Sequence, residues 1–234
     1  MSLVLALDTA TPSTAVAVLD GARPGDAVER RHDPAPEERP AHATRLLALC
    51  EQALGAAGAG WDHVDLLAAG IGPGGFTGLR IGLATAHGLA LARGLPLAGV
   101  SSLAALAHGA REGAPGGRVA AVLDARRGEA FAAAFDGPRE TMPAAALAPD
   151  ALAGGLAALS RPRLAVGDGA LRFAELIEGA GLEVPDGESP LHRVRATSVA
   201  RLALEALPGA AAEVLPDYLR RPDAALEASR RERA

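Results

Sequence analysis

The chain has 234 residues, a net charge of −5, and 49% hydrophobic and 22% charged residues, enough to bury a sizeable core in two small domains. All 23 basic residues are arginine, which excludes a P-loop lysine, a Schiff-base lysine and a Ser–Lys dyad; asparagine is also absent, and the Ala/Gly/Arg/Pro-rich composition reads as GC-rich coding. The single cysteine, Cys50, excludes an intramolecular disulfide framework and lies among leucines as a small core residue.

Residues 3–7 form an apolar run that ends at Asp8-Thr9. No basic segment precedes it and an acid follows within one strand length, so it reads as a strand rather than a signal peptide, and a cytoplasmic protein is expected. A turn at 10–13 and a second strand over 15–19 make a hairpin with an acid near its tip. A third strand is expected over 27–31. Residues 33–40 carry Pro34, Pro36 and Pro40 and read as a loop. Residues 42–57 are amphipathic, with Leu46, Leu47, Leu49, Cys50, Ala53 and Leu54 as the apolar set, and read as a helix.

A buried strand over 64–71 runs into Gly72-Pro73-Gly74-Gly75. That turn strips out side chains, so another backbone or an anion can approach; as an anion site it would work through backbone amides, and a tight structural turn fits equally well. Thr77 is the expected N-cap of a helix over 77–93. Gly78, Gly82 and Gly88 each cost that helix about 1 kcal/mol relative to alanine. Gly78, Gly82, Ala86 and Ala90 recur every four residues and share one face. Such a stripe serves either tight packing on the helix's own sheet or close approach of a second helix. The longest apolar helical stretch, about 81–92, is too short to cross a bilayer and contains His87.

A strand at 97–100 and a helix from 101 or 102 to 108 complete a β-β-β-α-β-α-β-α order. That order fits a mixed sheet with helices on its faces. The Gly/Pro-rich stretch 109–117 is the expected junction, dividing the chain into domains at 1–108 and 109–234. The pattern then partly recurs: a strand at 119–123 ending in Asp124, a turn at 125–128, a strand at 130–135 and a weaker one at 141–147. Helices are expected at 149–159, 171–180 and 196–207, with a short strand at 164–166. Two halves that each begin strand, Asp, turn, strand suggest a duplicated α/β fold. The last segment, from 216 on, leads into a charged tail.

Residues 5–15, 72–90, 99–103, 124–129 and 216–220, in order from end to end, resemble the TsaB (YeaZ) family. The block Gly-Pro-Gly-Gly-Phe-Thr-Gly-Leu-Arg-Ile-Gly-Leu-Ala-Thr-Ala-His-Gly-Leu-Ala at 72–90 is the most specific of these. Gly75 departs from the serine of the family pattern. The resemblance implies two ribonuclease-H-like halves of the actin, sugar-kinase and Hsp70 type, with mixed sheets flanked by helices and 216–234 packing back on the first half. It also implies a part in making N6-threonylcarbamoyladenosine (t6A) at position 37 of tRNAs that read codons starting with A. There the chain would be a non-catalytic subunit that docks and activates the transferase TsaD, with the ATPase TsaE in a ternary complex. It would form a homodimer when alone and contact tRNA only through the complex. No tightly bound cofactor is expected, and ATP or ADP only in the complex. The partner-binding helices would present His42, Arg45, Leu46, Leu49, Gly78, Gly82, Ala86 and Ala90.

The residues themselves argue against independent catalysis. Histidines stand at 32, 42, 63, 87, 108 and 192, no two at the i, i+4 spacing that puts two imidazoles on one helix face for a metal. An M22-like metallopeptidase is therefore disfavoured, and His42 is expected to cap, pack, or lie at an interface. Asp8 and Asp124 end equivalent strands, where sugar kinases place acids for Mg²⁺ or base catalysis. Residues 9–15 hold no glycine, so a phosphate grip is missing there. Asp8, Thr9, Gly72, Gly74, Gly75 and Asp168 remain a candidate vestigial nucleotide or anion site, and an ATP-dependent enzyme of the sugar-kinase type is the alternative reading. A net acidic chain with 3% aromatic residues gives little basis for nucleic-acid binding on its own.

Overall fold

Both faces of the first strand are apolar. Leu5 and Leu7 point one way and Val4 and Ala6 the other, and all four are buried, so this strand needs a layer on each side. A computed structural model describes residues 2–35, 37–113, 118–159, 162–205 and 213–220. Its first sheet contains β1 (Leu3–Asp8), β2 (Thr14–Asp20), β3 (Val28–His32), β4 (Leu66–Gly72) and β5 (Leu97–Ser101), in the order β3-β2-β1-β4-β5. β2 runs antiparallel to β1 and β3, while β4 is parallel to β1 and β5 to β4. The second sheet contains β6 (Arg118–Arg126), β7 (Glu129–Asp136), β8 (Arg139–Leu147) and β9 (Pro162–Val166), in the order β8-β7-β6-β9. It repeats the same plan, an antiparallel meander closed by a parallel strand.

The helices form layers around these sheets. α1 (His42–Ala56) and α2 (Phe76–Arg93) cover one face of the first sheet through Leu46, Leu49, Cys50, Ala53, Leu83, Ala86 and Ala90. α3 (Ser102–Gly113) and α7 (Ala196–Glu205) lie between the sheets, packing Leu103, Leu106, Val199 and Ala203 with Val4, Ala6, Val119 and Leu123. The outer face of the second sheet carries α4 (Pro149–Ala157), α5 (Asp168–Arg172) and α6 (Ala174–Gly179), through Leu152, Leu156, Ala170 and Ile177. The result is an α/β molecule of two mixed sheets flanked by helices.

Three sequence expectations change. α2 starts at Phe76 with Gly75 in the N-cap position and no side-chain cap, so Thr77 lies inside the helix. α3 runs on to Gly113, past the end expected at 108, and Gly109 packs against Ser198 of α7 and Arg195 just before it; tertiary contact overrides the weak local propensity. Residues 114–117 of the expected junction lie outside the described residues. The helix expected over 171–180 is two short ones that part at Phe173. α7 is described as far as Glu205, and 206–207 of the expected helix lie outside the described residues. α7, although late in the chain, packs on β1 and β2.

The segment 213–220 returns to the first half. Asp217 N–H donates to Ile71 O at 2.8 Å, and His87 Nε2 donates to Val214 O at 2.9 Å. Arg220 then reaches Glu129 of β7 at 3.0 Å, so this strap touches both halves. Residues 221–234 lie outside the described residues. No helix among the described residues is long and apolar enough to cross a membrane.

Candidate functional site: a cleft and a helical face

A cleft of about 1110 Å³ lies between the halves. It is lined by Thr9–Pro12, the N-terminal turns of α2, the Asp124–Arg127 turn, Asp168 and the strap. Thr9, Gly74, Gly75 and Asp168 of the candidate anion site line it, with His42. Asp8 and Gly72 do not; both are buried behind the wall.

The glycines of the 72–82 block explain that wall. A Cβ at Gly74 would run into the Ala10 carbonyl, one at Gly78 into the Thr9 carbonyl, and one at Gly82 into Thr9 Oγ1. Only glycine lets the loop after β1 lie this close to α2. Two hydrogen bonds hold the contact: Gly75 N–H donates to Ala10 O at 2.7 Å, and Thr9 Oγ1 to Gly78 O at 2.8 Å. The helix start that could have cradled a phosphate is therefore partly occupied by the chain's own backbone.

Asp8 sits under this loop, 2% exposed. It accepts from Ala10 N–H at 2.9 Å and from Ser102 Oγ at 2.7 Å. Burial pushes its carboxyl above the ordinary value, although those two hydrogen bonds and Arg31 pull the other way. A carboxyl sealed from solvent in this way is poorly placed to hold a cation or accept a substrate proton. Asp168 is likewise raised, first by burial, with the neighbouring Asp124 adding to the effect. Its Oδ1 accepts from Asp124 N–H at 2.9 Å, so it ties the turn after β9 to the end of β6. Asp124 accepts from Arg172 at 2.9 Å and from Arg126 N–H at 2.8 Å.

His42 opens α1 and packs inward. Its Nδ1 lies 2.8 Å from Thr14 Oγ1, and burial, with nearby His32, lowers its affinity for a proton. His192, which the sequence did not single out, accepts from Gly167 N–H at 3.1 Å and donates to Pro185 O at 3.0 Å, pinning the turn that carries Asp168. Among the described residues there is no group of three or more His, Cys, Asp or Glu side chains that could hold a metal ion. Burial pushes the Cys50 thiol up to about 12, which leaves it inert as a nucleophile.

The stripe is used inside the chain. His42, Leu46, Leu49, Gly78, Gly82, Ala86 and Ala90 are all buried on their own sheet or against the Thr9 loop. Of the residues expected to meet a partner, only Arg45 is exposed. The same two helices nevertheless present an outer face: Leu47 is 54% and Leu91 86% exposed, with Ala43, Ala48, Ala84, Gly88 and Ala92 also exposed. A helical register signals the stripe; only the packed sheet reveals which side of the helix is inward.

Comparison with known proteins places this geometry. Residues 36–174 match the family model described as TsaD: tRNA N6-adenosine threonylcarbamoyltransferase. The tRNA threonylcarbamoyladenosine biosynthesis protein TsaB of Escherichia coli is 34% identical over 190 residues, 79% of each chain. The structure of YeaZ from Pseudomonas aeruginosa superposes with a TM-score of 0.75 at 31% identity, covering 94% of this chain and all of that one. Component A of (R)-2-hydroxyglutaryl-CoA dehydratase from Acidaminococcus fermentans, at 12% identity and a TM-score of 0.52 over 88% of this chain and 98% of that one, shares the fold alone. Two sheets of one plan, a glycine block that seats the loop after β1, and these matches show that the chain belongs to the TsaB (YeaZ) family, on the fold of the actin and sugar-kinase type.

Proposed function

We propose that this protein works in t6A biosynthesis as the non-catalytic partner of a TsaD-type transferase, docking through the outer face of α1 and α2. The observation that carries the reading is the exposed side of these helices, where Leu47 and Leu91 stand among small residues, with Arg45, Glu51 and Arg93 beside them. Apolar side chains as large and exposed as these, beside exposed alanines and Gly88, suit burial by another helix pair. Gly88 adds room, since no heavy atom lies within 4 Å of where its Cβ would stand. The same surface would form the homodimer when the partner is absent. Docking favours the competent state of the transferase by binding that state more tightly. The sealed Asp8 and the filled turn at Gly74–Gly78 support a role without turnover of its own. TsaE, and ATP or ADP, belong to the assembled complex in this reading.

Mixing the protein with the TsaD of the same organism and measuring mass in solution tests the docking. A 1:1 complex that forms at the expense of the homodimer is expected. A Leu47→Arg, Leu91→Glu variant should stay folded and lose the complex. A variant that keeps it would put the contact elsewhere. Gly82→Leu is unsuitable for this purpose, because its side chain meets Thr9 inside the fold.

A further inference from the structure

The chain has four phenylalanines, one tyrosine and one tryptophan, and two of these rings stand exposed at one place. Phe76 is 38% and Tyr218 39% exposed, with ring centres 5.4 Å apart and planes at 35°. They meet only because the strap carries Tyr218 back to the start of α2, where Asp217 N–H bonds Ile71 O. Arg80 locks the pair: its guanidinium lies 3.9 Å over the Phe76 ring, and its Nε donates to Tyr218 Oη at 3.2 Å. Phe131 and Phe135, by contrast, are buried.

Arginines gather at the same opening. Arg39, Arg80, Arg126 and Arg220 all line the cleft in a chain whose net charge is −5. Arg126 stands at the cleft with φ +63, a backbone region that side chains other than Asn, Asp and Gly seldom adopt. Arg126 pairs with Asp124, which Arg172 also engages, and Arg220 pairs with Glu129, so the charge offered to a strand comes chiefly from Arg39 and Arg80.

We propose that the cleft mouth at Phe76 and Tyr218 binds an unpaired nucleotide of an RNA strand, its base on the aromatic pair and its flanking phosphates toward the arginines. Aromatic faces beside arginine are the general means of holding unpaired bases. A strand fits better than a free nucleoside triphosphate. The glycine turn that could have gripped a polyphosphate is partly occupied by Thr9 and Ala10. The choice of RNA rests on the t6A reading above.

Fluorescence anisotropy with a labelled tRNA anticodon stem-loop and the full chain tests this, with complex formation with TsaD measured separately, so that loss of the docking reading and loss of this one are distinguishable. The expected result is salt-sensitive binding that Phe76→Ala with Tyr218→Ala weakens about tenfold. Phe76→Tyr with Tyr218→Phe, which keeps the platform, should bind within about twofold of wild type, as should Arg30→Ala on β3. No binding at about 100 μM protein, where even non-specific contact registers, overturns the proposal. So does an alanine pair that binds RNA normally. Displacement of the RNA by an equal concentration of AMP would show a mononucleotide site and overturn the strand assignment. An alanine pair that loses TsaD but keeps RNA would make the mouth a protein contact instead.

Discussion

The loops after β1 and β6 occupy equivalent places in the two halves and have opposite fates. Asp8 and its loop are pressed onto α2, with Asp8 sealed from solvent and the glycines at 74, 78 and 82 filled by Thr9 and Ala10. The Asp124 loop instead carries the exposed Arg126 and Arg127 with positive φ, although both loops line the cleft. A duplicated fold thus kept its strand plan twice and closed only one of its two turns. Closing the first turn trades a potential ligand site for a rigid seat under α1 and α2, the helices whose outer face meets a partner in our account.

The contrast breaks most sharply at Gly82. Gly82→Leu places a branched side chain on Thr9 and should cost about 3 kcal/mol or more, seen as loss of soluble, cooperatively unfolding protein. Gly88→Ala on the same helix, facing open space, should instead stabilise the chain by about 1 kcal/mol in urea denaturation. Next in size is the outer face. Leu47→Arg with Leu91→Glu should weaken the complex about tenfold or more while changing unfolding free energy by less than about 0.5 kcal/mol. Thr9→Val removes the bond to Gly78 O and should cost about 1 kcal/mol.

The smallest effects concern protons. Asp8 has a raised carboxyl, so its contribution to stability is present below the ordinary carboxylate value and is lost as pH rises through its folded value. Asp8→Asn should therefore gain on wild type as pH rises. His42 has the opposite sign. Its lowered proton affinity contributes stability above 6.5 that is lost as pH falls through its folded value. Urea titrations between about pH 4 and 7 on wild type, Asp8→Asn and His42→Gln separate the two slopes; parallel curves would mean that neither group is buried as described.

Local pattern carried much of the fold. The apolar run of β1, the amphipathic run of α1 and the strand–Asp–turn–strand repeat were legible because each is decided within a dozen residues. The cleft was partly legible: Thr9, Gly74, Gly75 and Asp168 do line it. What the sequence could not show was direction and distance. The stripe of Gly78, Gly82, Ala86 and Ala90 has the same spacing whether it faces a sheet or a partner. Phe76 and Tyr218 meet only through the return of the strap, and α7 lies under β1 and β2 because of contacts from the far end of the chain. The α2 cap was misplaced at Thr77 because the Ala10 carbonyl, not a side chain, takes the Gly75 amide at its start.

The central claim is that this protein acts through a helical face and not through the acid of its first turn. In vitro synthesis of t6A with TsaD, TsaE, threonylcarbamoyl-adenylate and tRNA tests it most directly, comparing Asp8→Asn with Leu47→Arg, Leu91→Glu. The account predicts near-normal yield from the Asp8 variant and little or none from the leucine pair. Loss of yield with Asp8→Asn in a folded, complex-forming protein, or full yield from the leucine pair, would contradict it.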